Sequence, residues 1–184
     1  MIMKNLRQHK GFTLVESMVA ISILSLAVTG PLLIAQKGIG SAIYARDQIT
    51  AFYLAQEAIE YIRNVRDSNR IAGNGWLNQF NNCKEVGGSP KKCQIDARYV
   101  DFDSPGAIGL CPAGDCPKLS RDTVNNIYGY GTGEDWEETM FTRTISIDDR
   151  ADPKEALISV TISWNTNLFL PARTFTVREY IFDF

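Results

Sequence analysis

Apolar and polar positions divide the chain into four stretches. From Phe12 to Ala35 the run is almost purely apolar, 24 residues with one charge, Glu16. A helix rising about 1.5 Å per residue would make it roughly 36 Å long, enough to cross a hydrocarbon core of about 30 Å. From residue 36 to Asp67 the apolar positions step by three and four. One stripe is Ala42, Ala45, Ile49, Phe52, Ala55, Ile59 and Ile62, and a second is Ala51, Leu54, Ala58, Tyr61 and Val65. Arg46, Thr50, Glu57, Glu60, Asn64 and Asp67 fill the remaining face. That apolar arc is wider than one packing surface needs. A single helix from Phe12 to Asp67 is predicted, 56 residues and roughly 84 Å. Gly30-Pro31 should interrupt it, because proline lacks the N–H donor and clashes with the preceding turn.

Residues 69–138 carry turn and loop signals, including Asn69, Gly73-Asn74-Gly75, Asn81-Asn82 and Gly87-Gly88-Ser89-Pro90. Trp76, Leu77 and Phe80 suggest a short helical turn docked on the body, and Ile95–Phe102 is a candidate strand. From Thr139 to the end the period becomes two. Phe141, Ile145 and Ile147 share one face of Met140–Asp148. Ile158, Val160, Ile162 and Trp164 share one face of Ala156–Trp164, and Phe175, Val177 and Ile181 one face of Arg173–Phe182. Turn-rich connectors at 148–153 and 165–172 make this an antiparallel meander with one buried face, its edge closed by the aromatic tail Glu179–Phe184. The fold class is α+β, a long N-terminal helix laid on an antiparallel sheet.

Charge then sets the topology. Lys4, Arg7 and Lys10 precede the apolar run with no acid among residues 1–11, and such a basic flank belongs on the cytoplasmic side. The chain should cross once and place everything after residue 36 outside. A cleavable secretory signal fits poorly, since the run ends in Thr29-Gly30-Pro31, and the first cysteine, Cys83, comes too late for a lipoprotein anchor. The formal charge is -2, and removing the three cations of residues 1–11 takes it to -5, unlike a general nucleic-acid binder. His9 is the only histidine. A chain cut after Gly11 has none, which removes Ser-His and Cys-His catalysis and the commonest metal ligand.

The four cysteines, Cys83, Cys93, Cys111 and Cys116, allow three pairings; the sequence-local pairs are preferred. Outside the membrane disulfides persist, and a zinc site suits these spacings badly. The acidic clusters Gly133–Glu138 and Asp148–Asp152 could offer oxygens to calcium but match no calcium-loop spacing, and solvated turns are the preferred reading. No metal or cofactor is expected. Glu16 is the anomaly: an ionised carboxylate within a bilayer costs on the order of 3 kcal/mol and calls for a partner. If the chain is cut after Gly11, the new α-amine of Phe12 lies one helical turn away and on the same face.

The run Lys10-Gly11-Phe12-Thr13-Leu14-Val15-Glu16 resembles the prepilin signal of type IV pilins and type II secretion pseudopilins. The basic leader, the Gly-Phe junction, the glutamate spacing and the apolar run coincide. The closing strands are similar to those of minor pilins and I-type pseudopilins. The resemblance implies a leader of residues 1–11, cleavage between Gly11 and Phe12 by prepilin peptidase, and N-methylation of Phe12. It also implies filament assembly that requires Glu16, with the second half of the helix shared between the head and the filament core. Local unwinding at Gly30-Pro31 on assembly is a further implication. Partners would be the peptidase, other pilin or pseudopilin subunits, the assembly platform and membrane lipid. The alternative is an anchored binding module such as a DNA-uptake receptor, whose surface would have to come from Lys84, Lys91, Lys92, Arg98, Lys118 and Arg121. No catalytic constellation is present to support an enzyme.

Overall fold

The computed structural model describes residues 11–84, 91–152, 154–165 and 172–183, with backbone only for 150–152. The basic residues of the leader, the 87–90 loop, most of the 165–172 connector and Phe184 lie outside them. The chain forms two compact units, Met1–Arg46 and Asp47–Phe184.

The first unit is helical from Leu14 onward, and its side chains are exposed throughout the described part. Helix α1 is assigned Leu14–Ala72 and passes through Gly30 and Pro31. The expected interruption there is absent. Proline removes one N–H, so the Ala27 carbonyl loses its partner while the remaining ladder holds the helix. The most apolar 18-residue window of α1 has a mean hydropathy of 2.2 and none of it is buried, so the helix is long and apolar enough to cross a membrane. Its hydroxyls are satisfied internally. Ser22 donates to the Met18 carbonyl, Ser25 to Ile21 and Thr29 to Ser25, at 2.8, 2.8 and 2.6 Å.

The second unit is an antiparallel sheet packed on the α1 residues from Asp47 onward. Strand β5 (Trp136–Asp152) is its 17-residue spine. Strand β6 (Glu155–Trp164) pairs along one edge of β5, from Phe141↔Trp164 to Asp152↔Glu155. Strand β7 (Arg173–Phe182) pairs with β6 over its full length and lies at the sheet edge. The other edge of β5 is shared. Strand β3 (Lys118–Asp122) covers its first part and β1 (Cys93–Ile95) meets Ile145. Outside these lie β2 (Ile108–Leu110), paired with β1, and β4 (Tyr128–Gly129), paired with β3.

The meander follows the period of two: Ala156, Ile158, Val160, Ile162 and Trp164 are buried on β6 and their neighbours are not. The loop-rich stretch corrects the sequence reading. It supplies four short strands, the candidate strand at 95–102 stops at Ile95, and β5 begins at Trp136. The Asp96 carboxylate accepts hydrogen bonds from the Arg98 side chain and from the backbone N–H groups of Arg98 and Tyr130, which turns the chain off the strand.

Of the two predicted stripes, the second is buried in full and the first only from Ala55 onward; Ile49 and Phe52 remain exposed. Trp76, Leu77 and Phe80 enter the core beside a 3-10 turn at Asn78–Phe80. The helix ends at Ala72 because Gly73 takes φ +73°. The Asn74 N–H then reaches the Asn69 carbonyl at 2.9 Å, and the Gly73 N–H reaches Arg70 at 3.2 Å. Cys83 is bonded to Cys93 and Cys111 to Cys116, the sequence-local pairs.

Candidate functional site

The junction singled out by the sequence lies where the backbone is not helical. Gly11, Phe12 and Thr13 precede α1, and Phe12 is 75% exposed. A Cβ placed on Gly11 would meet nothing within 4 Å. Thr13 is the N-cap. Its Oγ1 accepts a hydrogen bond from the Glu16 N–H at 3.2 Å, and its carbonyl accepts from the Ser17 N–H at 3.1 Å. Thr13-Leu14-Val15-Glu16 therefore has the spacing of a capping box. Phe12 is not a helical residue in the intact chain; the one-turn relation expected between a Phe12 amine and Glu16 belongs to the chain cut after Gly11. Glu16 stands in the first turn, where a carboxylate is favoured by the partial positive charge of the helix end. It is the single ionisable side chain from Phe12 to Ala35. The capping signal is visible in the sequence as the T-x-x-E spacing of Thr13 and Glu16.

The cationic set is largely paired. Lys84 lies 3.2 Å from Asp149, Lys92 3.6 Å from Asp115, Arg98 2.5 Å from Asp96, Lys118 2.7 Å from Glu138 and Arg121 3.5 Å from Glu137. Five of the six candidate cations thus have a carboxylate beside them, which leaves a mixed surface rather than a basic one. Both acidic clusters are drawn into these pairs through Glu137, Glu138 and Asp149. Among the described residues no group of three or more His, Cys, Asp or Glu side chains is placed to hold a metal ion.

The ionisable groups with shifted affinities for protons are structural. Burial alone would raise the pKa of Asp96, but the Arg98 hydrogen bond and the two backbone N–H groups outweigh it and hold the carboxyl below its usual value. Arg98 also lies over the Trp136 ring at 4.4 Å, and a side chain at Gly131 would collide with that indole. Tyr61 packs edge-on against Phe102 at 5.3 Å, and its hydroxyl is pushed up to about 12 by burial and by Asp96 and Asp101.

The family model for the prokaryotic N-terminal methylation motif matches residues 6–30. The chain therefore carries the signal of type IV pilins and pseudopilins, followed by a pilin-like α+β arrangement. That signal implies processing by a prepilin peptidase and assembly with other pilin subunits, and it points to a structural subunit rather than an enzyme. Together with the apolar helix it points to membrane anchoring. No curated protein and no solved structure matches the chain significantly.

Proposed function

We propose that the chain is a minor pilin or pseudopilin, a structural subunit of a type IV pilus-like or type II secretion filament. The precursor sits in the cytoplasmic membrane as a single pass, residues 1–11 inside and the disulfide-bonded head outside. Prepilin peptidase hydrolyses the Gly11–Phe12 bond and the new amine of Phe12 is methylated. The freed N-terminal segment then packs with neighbouring subunits, with Glu16 as counter-charge to a Phe12 amine, its own or a neighbour's. Gly30-Pro31, helical here, is the place where the helix can unwind on assembly. The observation that carries this reading is the match at residues 6–30, which sets the methylation motif over an exposed, non-helical Gly11–Phe12 junction ahead of an apolar helix. The pairing of five surface cations with carboxylates speaks against a DNA receptor.

The test is the intact mass of the protein recovered from membranes that contain its cognate peptidase. The expected product lacks residues 1–11 and carries one added methyl group on Phe12. An uncut chain in a competent host would leave an anchored surface domain instead. Once processing is seen, Glu16→Ala should abolish incorporation into filaments while leaving cleavage intact.

A further inference from the structure

Cleavage needs the Gly11–Phe12 peptide to be reachable. Hydrolysis adds one water across that bond, leaving a carboxylate on Gly11 and an amine on Phe12. In an α-helix every carbonyl is engaged by the N–H four residues on, and such a backbone cannot offer its polar groups to a peptidase. If α1 began two residues earlier, the Gly11 carbonyl would accept from the Val15 N–H and the Phe12 carbonyl from the Glu16 N–H. In an apolar surrounding such pairing is strongly favoured, because no water is present to replace it.

The structure shows the competitor. The Glu16 N–H, the donor that would draw the Phe12 carbonyl into the helix, is bonded at 3.2 Å to Thr13 Oγ1. The Thr13 carbonyl is taken by the Ser17 N–H at 3.1 Å and by the Ser17 hydroxyl at 3.3 Å, so the first helical turn closes on Thr13 and no earlier. Residues 11–13 stay outside the helix and exposed.

We propose that Thr13 is a positioning residue for the cleavage step: its hydroxyl fixes the helix start at Leu14 and keeps the Gly11–Phe12 bond in the non-helical form that the peptidase binds. The inference rests on the processing reading above. The hydroxyl acts through the population of the cleavable conformer, so its loss weakens apparent binding and leaves the chemical step alone.

The experiment uses the full chain in membranes with prepilin peptidase, comparing initial cleavage rates of wild type, Thr13→Val and Thr13→Ser over a range of substrate concentrations. Valine keeps the shape and removes the acceptor; serine keeps the acceptor. The expected result is a KM raised about three- to fivefold for Thr13→Val, fivefold being the full factor a single N-cap supplies to the conformer ratio, with kcat unchanged. Thr13→Ser should lie within about twofold of wild type. Both head disulfides, checked by mass, report that each variant has folded. A wild-type KM for Thr13→Val overturns the proposal. So does an equal loss in Thr13→Ser, which would assign the effect to the threonine methyl, or a fall in kcat with KM unchanged. A wild-type chain that is not cut at all overturns the processing reading itself, and is distinguishable because it precedes any comparison of variants.

Discussion

Arg143 occupies an inward position of β5, in phase with Phe141, Ile145 and Ile147, and is 0% exposed. Its NH1 donates to the Leu54 carbonyl at 3.1 Å and to Glu57, and its NH2 donates to the Ile95 carbonyl at 2.7 Å. One guanidinium therefore joins the helix to two strands. Burying it is costly, and the acceptors on its two terminal nitrogens offset that cost, while its Nε is buried without a partner. Arg143→Met should destabilise the head by about 3 kcal/mol, since two buried carbonyls lose their donor. Glu57→Gln should cost only about 1 kcal/mol, because the amide oxygen can still accept. Urea unfolding of the chain in detergent measures both; equal costs would mean that the charge on Glu57, not the buried carbonyls, decides the matter. Alternation along the strand identifies the apolar members of this face but not Arg143. The phase was legible, but a charge in phase looks like an error until its partners are known, and these lie 89 and 48 residues away.

At the level of elements the same pattern recurs on β7. Glu179 and Asp183 continue the inward phase of Phe175, Val177 and Ile181, and they meet Arg63 and Arg70 of α1 at 2.5 and 3.1 Å. With Glu57–Arg143, three oppositely charged pairs mark one register of helix on sheet. Arg63 and Glu179 are partly exposed, so solvent weakens their contribution. A double-mutant cycle with Arg63→Ala and Glu179→Ala should give a coupling of about 0.5 kcal/mol; a value of zero would leave the register to the apolar contacts alone. Period-two strands were legible because both turn signals and alternation agree. The short strands β1 to β4 were not, since two to five residues of mixed polarity carry no period, and their pairing depends on β5 and on Asp96.

For the molecule as a whole, hydropathy and cysteine spacing set an apolar stretch ending at Ala35 apart from a cysteine-bearing remainder, whereas the compact units part between Arg46 and Asp47. The helix ends could not be placed as well. They depend on Thr13 at the start and on Gly73 at the stop, single residues that a periodicity scan does not weigh. The two staples differ in burial. Cys83 and Cys93 lie in the core, whereas Cys116 is only half-buried beside an exposed turn. Each closes a short loop and contributes about 2–3 kcal/mol. Titration with a mild reductant followed by alkylation and mass mapping should therefore open Cys111–Cys116 first; simultaneous opening would mean that the head unfolds as one unit once either bond is lost.

The Cys83–Cys93 bond also has a use as a clock. Thiols stay reduced in the cytoplasm and pair in an oxidising compartment, and once paired these two sulfurs are sealed inside the core. On the topology proposed above, a chain whose Cys83 and Cys93 can both be trapped by a membrane-permeant alkylating agent has not yet delivered its head across the bilayer. A chain in which neither can be trapped has. On that proposal the redox state of one buried pair timestamps export in each molecule, and the mass of the same molecule reports whether residues 1–11 are gone, so one spectrum reads the order of the two proposed events.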